Sequence, residues 1–443
     1  MRRALSLVCL AVVTGSLGAP AVLAKTEDLG GWSLAATPAT GRAHHTATLL
    51  RTGRVLVAGG VDAHGTATAT VELFDPALNR WSAASPLSTS RTEHTATLLS
   101  DGRVLVVGGF HVGDTFSNRG VSESLNAVES YDPRYNHWTP AASMAYHRAR
   151  HTATLLTDGR VLVLGGISST MQPNWSWSLP DQGELYDPRT DRWSVTAPGL
   201  GGRQGHTATL LPDGRVLVVG GIGETGPEPS AKLYDSVGDT WATTPPPSLL
   251  RDLHTASLLP DGRVLILGGV GAEAAEVAQG SMQYGTEPEA SGDLYDPSRN
   301  IWLPTPAMHS MRLLHTATLL HDGSVLVVGG AYANPGHPEI YEIGANYWVQ
   351  ATVVINRHGH TATLLPDGRV LVVGGFGIDA MSTAWIYRPD TGVAQVSRWG
   401  PVPTALALLA ALGVLLVLIW GGRLRLSLRK RLRHDDPDQR IAS

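Results

Sequence analysis

Seven pairs of arginine and histidine recur along the chain at a fixed spacing. In each pair the arginine stands three residues before a histidine that begins a segment such as HTATLLPDGRVLVVGG. Guanidinium groups bind carboxylates and phosphates, and imidazoles bind zinc, so a ring of such pairs could form an anion site or a metal centre. The pairs are Arg42/His45, Arg91/His94, Arg148/His151, Arg203/His206, Arg251/His254, Arg312/His315 and Arg357/His360.

A structural role competes with this chemical interpretation, because a residue needed for packing appears in every repeat, whereas a catalytic group is usually needed once. Zinc ligands lie about 2.0–2.1 Å from the ion while facing sheets pack about 10 Å apart, so equivalent histidines of different repeats are not expected to share a metal. We therefore interpret the histidines as structural and predict no metal site. The seven arginines stay candidate binding residues, because they precede strands where a central channel would open.

Each repeat predicts four antiparallel strands. The segment HTATLL has strand-forming residues, an Asp-Gly turn follows it, and the apolar segment RVLVVGG ends in a glycine pair. The fourth part, of the form ELYDPxxNxW, places an aromatic residue seven positions before a tryptophan, with a tight turn between them. The first repeat has Thr52-Gly53 in place of Asp-Gly, and the last has Ala394 in place of the tryptophan.

The missing tryptophan has a counterpart at the start of the chain. Trp32 precedes His45 at the same spacing at which Trp81 precedes His94, and the later repeats keep this spacing to within one position. The N-terminal strand should therefore complete the last repeat. The predicted fold is all-β, a seven-bladed propeller over residues 25–398 that the N-terminal strand closes.

The glycine pairs, the spaced Tyr and Trp and the Arg-x-x-His segment resemble the kelch repeat. The segment HTATLLPDGRVLVVGG is most similar to those of bacterial kelch proteins and of the propeller of the galactose oxidase family, and the resemblance extends over residues 30–395. In that family the resemblance implies a copper site of tyrosines and histidines, with one tyrosine cross-linked to a cysteine. The only cysteine here is Cys9, which precedes the propeller, so we expect neither that activity nor any cofactor.

Both ends of the chain read as membrane-targeting segments. Residues 1–24 have two arginines, an apolar core and then Val22-Leu23-Ala24 before the expected cut, which is typical of a signal peptide. Residues 402–420 carry no charge and are long enough to span a bilayer as a helix, and the basic tail 421–443 follows. Positive charge stays on the cytoplasmic side, so we predict a single-pass protein of the cell membrane with its propeller in the periplasm or at the cell surface.

The part predicted to be exported is acidic. Of the 34 basic and 38 acidic residues, 25 and 35 remain when the two ends are set aside, a net charge of −10. Such a surface disfavours phosphate backbones, so no nucleic-acid partner is expected. We expect a monomer that contacts the membrane through its C-terminal helix.

The connections that follow the glycine pairs identify the functional face. Their lengths up to the next aromatic residue are unequal, and they are longest in blades two, three and five. Binding residues concentrate on such variable loops. The long loops contribute Phe110 and His111 in blade two and Trp175 and Trp177 in blade three, and we predict that this face binds a protein or a glycan.

Two alternatives stay open. The chain has none of the short motifs of common hydrolases, metalloproteases or nucleotide-binding enzymes, so no catalysis is expected, but a propeller epimerase or mutarotase that acts on a carbohydrate would need no such motif. The C-terminal segment also resembles bacterial sorting signals that are cleaved off. Its acidic extension HDDPDQRIAS departs from that pattern and favours a retained anchor.

Overall fold

The computed structural model describes residues 31–111, 123–170, 176–224, 226–228, 231–272, 288–331, 336–377 and 381–389. Every named element within these ranges is a β-strand. The predicted signal peptide, membrane helix and basic tail lie outside them. Within the described ranges no helix is both long and apolar enough to cross a bilayer.

The first seventeen strands comprise β1, four main strands for each of the first three repeats, and two short strand pairs in the loops. They are β1 (Trp32–Leu34), β2 (Thr46–Leu49), β3 (Val55–Ala58), β4 (Val71–Asp75), β5 (Arg80–Ala84), β6 (Thr95–Leu98), β7 (Val104–Val107), β8 (Phe110–His111), β9 (Glu123–Ser124), β10 (Val128–Asp132), β11 (His137–Ala141), β12 (Thr152–Leu155), β13 (Val161–Leu164), β14 (Ser168–Thr170), β15 (Ser176–Ser178), β16 (Glu184–Asp187) and β17 (Arg192–Val195).

The remaining strands continue the same order through the last four repeats. They are β18 (Thr207–Leu210), β19 (Val216–Val219), β20 (Ile222–Gly223), β21 (Gly226–Pro227), β22 (Lys232–Asp235), β23 (Thr240–Thr243), β24 (Leu250–Asp252), β25 (Thr255–Leu258), β26 (Val264–Leu267), β27 (Val270–Ala272), β28 (Gly292–Asp296), β29 (Ile301–Thr305), β30 (Thr316–Leu319), β31 (Val325–Val328), β32 (Glu339–Glu342), β33 (Tyr347–Gln350), β34 (Thr361–Leu364), β35 (Val370–Val373) and β36 (Ala384–Tyr387).

Seven four-stranded antiparallel sheets form the blades of a propeller, as predicted. In chain order from the axis outwards, blade one is β2-β3-β4-β5 and blade two is β6-β7-β10-β11, and blades three to six repeat the pattern. The first strand of each blade contacts the first strands of both neighbours, and β34 of blade seven contacts β2 of blade one. These inner strands therefore surround the central channel.

Blade seven closes the ring with the first strand of the chain. Its order is β34-β35-β36-β1, and Trp32 pairs with Tyr387 in the β1–β36 register. The two rings lie 4.9 Å apart, which matches the 4.8–5.0 Å between the aromatic and tryptophan rings of the other six blades. The prediction that an N-terminal strand completes the last blade is confirmed.

The core lies between consecutive blades. The second strand of each blade is an apolar, mostly β-branched segment that is buried along its whole length, as strands covered on both faces are. One cluster, for example, joins Leu56 and Leu73 of blade one to Val104 and Tyr131 of blade two. Seven such clusters hold the ring together.

The two faces of the propeller differ. On one face, which we call the loop face, the residue after each glycine pair bridges to the residue two before the anchor histidine, as in Ala43 and Val61. The connections between blades and the variable loops therefore meet there. The opposite turn face holds the Asp-Gly and Asp-Pro turns, and residues 52–54, 75–77 and 366–369 meet there around a shallow cavity of about 450 Å³.

Candidate functional site

The seven predicted arginines form a buried network beneath the loop face. Their exposed fraction is at most 5 %. Each Nη1 donates a hydrogen bond of 2.7–3.1 Å to the carbonyl of the first glycine in its own blade's pair. The second glycine of the preceding blade donates its N–H to the arginine's carbonyl at 2.7–3.0 Å. The arginines thus join adjacent blades through their backbones.

Six of these guanidinium groups have a carboxylate partner. The nitrogen–oxygen distances are 2.5–3.1 Å, and the partners of Arg42, Arg91, Arg148, Arg203, Arg251 and Arg312 are Glu72, Glu129, Glu184, Glu228, Asp293 and Glu339. Burial lowers the pKa of each guanidinium and the carboxylate opposes that effect. The pairs satisfy charges that would be costly to bury alone.

Arg357 differs from the other six. Trp385 stands two residues before Tyr387, at the position where Glu72 precedes Phe74 in blade one. Within the described ranges no carboxylate reaches Arg357, which instead donates to the Gly374 carbonyl and to Thr383. Burial lowers the pKa of its guanidinium to about 10.

The anchor histidines form a second ring inside the first. Each Nε2 lies 2.9–3.0 Å from a threonine hydroxyl on the inner strand of the preceding blade. The pairs are His45–Thr361, His94–Thr46, His151–Thr95, His206–Thr152, His254–Thr207, His315–Thr255 and His360–Thr316.

Their environment keeps these imidazoles neutral. Burial, and then the charge of the nearby arginine, lowers the pKa of His151, His206, His254 and His360 to about 3. The same causes lower the pKa of the other three well below the ordinary value. Neutral rings in contact with the preceding blade serve packing between blades. Nowhere in the described part of the chain do three or more His, Cys, Asp or Glu side chains cluster closely enough to hold a metal ion.

A third ring, at the mouth of the channel, brings varied side chains together. It consists of the residue immediately before each anchor histidine, and we call it the mouth ring: His44, Glu93, Arg150, Gly205, Leu253, Leu314 and Gly359. All seven have left-handed backbone conformations, with φ between 52° and 68°. Backbone N–H groups donate to the carbonyl of the preceding mouth-ring residue at 2.7–3.3 Å at five of the seven steps.

A side chain at a mouth-ring position raises the energy of the left-handed backbone conformation there. A non-glycine residue in the left-handed region is destabilised by about 1–2 kcal/mol, and leucine gains no local hydrogen bond there to offset it. Five blades nevertheless keep a side chain at this position where glycine would fit. Strained positions of this kind cluster at functional sites, which makes the mouth ring the main candidate site of the described surface.

One side of the mouth holds a triad of titratable side chains. Glu93 Oε1 lies 3.1 Å from His44 Nδ1 and 3.6 Å from an Arg150 guanidinium nitrogen. Burial would raise the pKa of Glu93, but attraction to His44 and Arg150 outweighs it, so the pKa lies below its ordinary value. The Arg150 guanidinium also lies over the Phe110 ring, 5.9 Å from its centre. The triad therefore spans blades one to three.

The other side of the mouth is apolar and holds one unpaired acid. Leu253 and Leu314 occupy the mouth ring in blades five and six. Asp252 is 8 % exposed, and no other residue among those described engages its carboxylate in a hydrogen bond or an ion pair. Burial raises its pKa to about 6. The mouth thus has an internally neutralised side and a side with one uncompensated carboxylate.

The predicted loop residues take different places on the loop face. Phe110 is 7 % exposed and lies beneath Arg150, and His111 Nδ1 is 3.3 Å from Ser90. Trp177 is 41 % exposed on β15, opposite Ser169 of β14. That hairpin packs on the loop of blade two, where Ser124 donates to the Ser169 carbonyl. Trp175 lies outside the described residues.

Sequence reasoning missed the mouth ring, although the sequence carries a signal for it. Both residues between the repeated arginine and histidine vary in type across the repeats, and the second of them forms the mouth ring. Within a segment that is otherwise nearly constant, such variation indicates a position that packing does not dictate. Asp252, one residue earlier in blade five, has no acidic counterpart in the other six blades.

Comparison with known proteins identifies the repeat. A family model for the kelch motif matches residues 42–88 and 91–145. An F-box/kelch-repeat protein of Arabidopsis thaliana is 33 % identical over 89 residues, which cover 20 % of each chain. Kelch-like protein terF of Aspergillus terreus is 29 % identical over 23 % of this chain and 22 % of its own. Human Kelch-like protein 15 is 31 % identical over 20 % of this chain and 14 % of its own. The chain therefore matches no more than about a fifth of the length of these relatives.

Solved structures share the propeller at low sequence identity. A fungal alcohol oxidase in complex with copper aligns with a TM-score of 0.61 and 17 % identity, over 83 % of this chain and 79 % of its own. YjhT aligns with a TM-score of 0.55 and 16 % identity, over 72 % of this chain and all of its own. This chain carries kelch motifs, and its fold is a seven-bladed β-propeller.

Proposed function

We propose that this protein is a membrane-anchored, exported kelch propeller that binds a partner protein through its loop face and catalyses no reaction. The observation that carries the proposal is the mouth ring. Five non-glycine side chains of four different types are kept there in left-handed backbone at one position of an otherwise regular repeat.

The difference between the faces supports this role. On the turn face the same Asp-Gly-Arg turn recurs in five blades, and its arginine pairs with its own aspartate, as in Asp213 and Arg215. On the loop face the connections have unequal lengths and carry the short strand pairs β8–β9, β14–β15, β20–β21 and β24–β27. A rigid ring with unequal loops on one face is a common arrangement for partner recognition.

Site-specific photo-cross-linking in cells tests the proposal. A photoreactive amino acid replaces Trp177 on the loop face or, as the matched control, Tyr135 on the turn face, which is 78 % exposed. We expect discrete higher-mass adducts from position 177 of the full chain and none from position 135. Adducts from position 135 alone would contradict the proposed face.

A glycan is the second candidate ligand, because of Trp177. This ring is 41 % exposed between Ser176 and Ser178, and exposed aromatic rings flanked by hydroxyl groups suit the apolar face of a sugar. The test is a glycan array with the full chain in detergent. Binding that Trp177→Ala abolishes and Tyr135→Ala retains would favour the glycan over the protein partner.

Two further measurements address the anchor and catalysis. Mass spectrometry of the native C-terminus distinguishes a retained helix, which we expect, from a cleaved sorting signal. Protease treatment of intact cells should remove the propeller and spare the basic tail. Turnover of any member of a panel of free sugars would favour the epimerase or mutarotase alternative.

A further inference from the structure

The uncompensated carboxylate of the mouth belongs to Asp252. This side chain is more than nine-tenths buried, and among the residues described it alone of the buried acids on the loop face has no arginine partner. A buried unpaired carboxylate is destabilised relative to water. A bound cation would stabilise such a carboxylate at the channel mouth.

The neighbouring mouth-ring position borders that carboxylate and carries no side chain. Gly205 has no side chain, and a β-carbon there would lie 3.5 Å from Asp252 Oδ2 and 3.6 Å from a methyl group of Leu253. The unfilled position is therefore bordered by a carboxylate and an aliphatic surface. The backbone hydrogen bond from Gly205 to the Arg150 carbonyl is also one of the two steps that the described mouth ring lacks.

The positive charge of Arg150 does not occupy this space. Its guanidinium is directed towards blade two, where it meets Glu93 and the Phe110 ring. Burial raises the pKa of Asp252 to about 6, and no neighbouring charge contributes to that shift. Asp252 therefore remains largely ionised at neutral pH, and no described residue provides its counter-ion.

We propose that the gap at Gly205 is a binding site for an alkylammonium or guanidinium group, whose charge pairs with Asp252 while its methylene chain packs on Leu253. A single carboxylate suits such a cation, because it brings one charge and an apolar stem. Calcium or magnesium would need several oxygen ligands, and no acidic cluster is present in the described part of the mouth. A lysine or arginine side chain of a partner protein has this chemistry, as does a free amine.

This inference rests on the proposed function, because it assigns a ligand class to the loop face. The two fail separately. Cross-linking from position 177 without cation binding at Asp252 would preserve the protein-binding face and reject the site. Cation binding without cross-linking would preserve the site and reject the protein-binding face.

Calorimetric titration of the purified full chain tests the site. The probes are capped Gly-Lys-Gly and Gly-Arg-Gly, with capped Gly-norleucine-Gly as a control that keeps the stem and lacks the charge. Butylammonium distinguishes the source, because equal affinity for it indicates a free-amine site and weaker affinity indicates a side chain within a peptide. Either result supports the cation site.

Two variants test the residues involved. Asp252→Asn removes the charge at nearly constant shape, and Gly205→Leu fills the gap with a residue that blades five and six carry in the same backbone conformation. Each should weaken binding of the lysine peptide by about tenfold or more, since a charge-assisted hydrogen bond is lost or blocked. Asp213→Asn, which removes a carboxylate on the turn face, should leave the affinity unchanged.

Several results would overturn the inference. These are equal affinity for the lysine and norleucine peptides, full affinity in Asp252→Asn, no heat with any cationic probe, or saturable binding of calcium that Asp252→Asn abolishes. Thermal unfolding of each variant shows that it is folded, so that lost binding reports the site.

Discussion

The imidazole Nε2 of His45 lies 2.9 Å from the hydroxyl of Thr361, 316 residues later in the chain. Six equivalent contacts connect each blade to the one before it, and this one connects blade one to blade seven. The ring of histidines and threonines is therefore closed. Each imidazole in it stabilises an interface between two blades, which is why one residue type recurs seven times.

Removal of the hydroxyl at the point of closure should destabilise the whole ring. Thr361→Val leaves His45 Nε2 buried without its partner, which costs about 1–3 kcal/mol in the free energy of unfolding. Thr361→Ser keeps the hydroxyl and should cost less. Urea denaturation of the purified full chain measures both variants, and equal midpoints for wild type and Thr361→Val would refute a stabilising role for this contact.

Acid should unfold the propeller at a higher pH than carboxylate titration alone would explain. The folded pKa of the anchor histidines is lowered, to about 3 in four of them, so the unfolded chain binds protons first as the pH falls below about 6.5. At pH 5.5 each of these four histidines then costs on the order of 1 kcal/mol, and the other three act in the same direction. The ring together therefore costs several kcal/mol, which is a large part of the stability of a typical domain. Circular dichroism should show cooperative unfolding near pH 5. An ordered propeller at pH 4 would contradict this assignment.

Asp252 should affect stability in the opposite direction. Its folded pKa is raised to about 6, so the folded state binds its proton more tightly, and this group stabilises folding as the pH falls from above 6 towards 4. Asp252→Asn should therefore be more stable than wild type at pH 7.5, by about 2–3 kcal/mol. The difference should shrink steadily below pH 6. Denaturation at pH 7.5 and 5.5 measures the change, and a destabilised Asp252→Asn at pH 7.5 would count against an unpaired carboxylate.

The arginine network allows a matched comparison between blades. Arg148→Met leaves Glu184, which is fully buried, without a counter-ion and should cost about 3–5 kcal/mol. Arg357→Met leaves no described carboxylate without a counter-ion. It should lower the free energy of unfolding by only about 1–3 kcal/mol, because hydrogen bonds to backbone carbonyls are lost. Chemical denaturation of the two variants at pH 7.5 gives the difference. A larger loss for Arg357→Met would mean that another acidic group compensates Arg357.

The propeller could be predicted from the sequence because each repeat specifies its own local structure. The Asp-Gly turns, the apolar second strand and the paired aromatic and tryptophan residues define a blade without reference to the rest of the chain. Trp32 alone indicated a pairing between distant parts of the chain, because its sequence separation from His45 matches the spacing in the other blades. The equal ring distances in all seven blades follow from that register.

The site was less predictable because burial and pairing depend on neighbouring strands and blades. The arginines look exposed at a strand entrance in the sequence, but acidic side chains such as Glu72, on the third strand of blade one, cover them. Phe110 looks like a loop aromatic, but Arg150 of the next blade lies over it. Asp252 could not be distinguished from a paired acid, because only the folded arrangement around Gly205 shows that no described residue neutralises it.

The pairing of β1 with β36 also determines when folding can finish. Trp32 leaves the ribosome long before Tyr387, its partner in the register, and at about 5–20 residues per second the delay is roughly 20–70 s. During that interval the first strand has no sheet to join and the first blade has open edges. The ring therefore matures in a single late step, and the chain depends on whatever protects those edges until its last blade has been made.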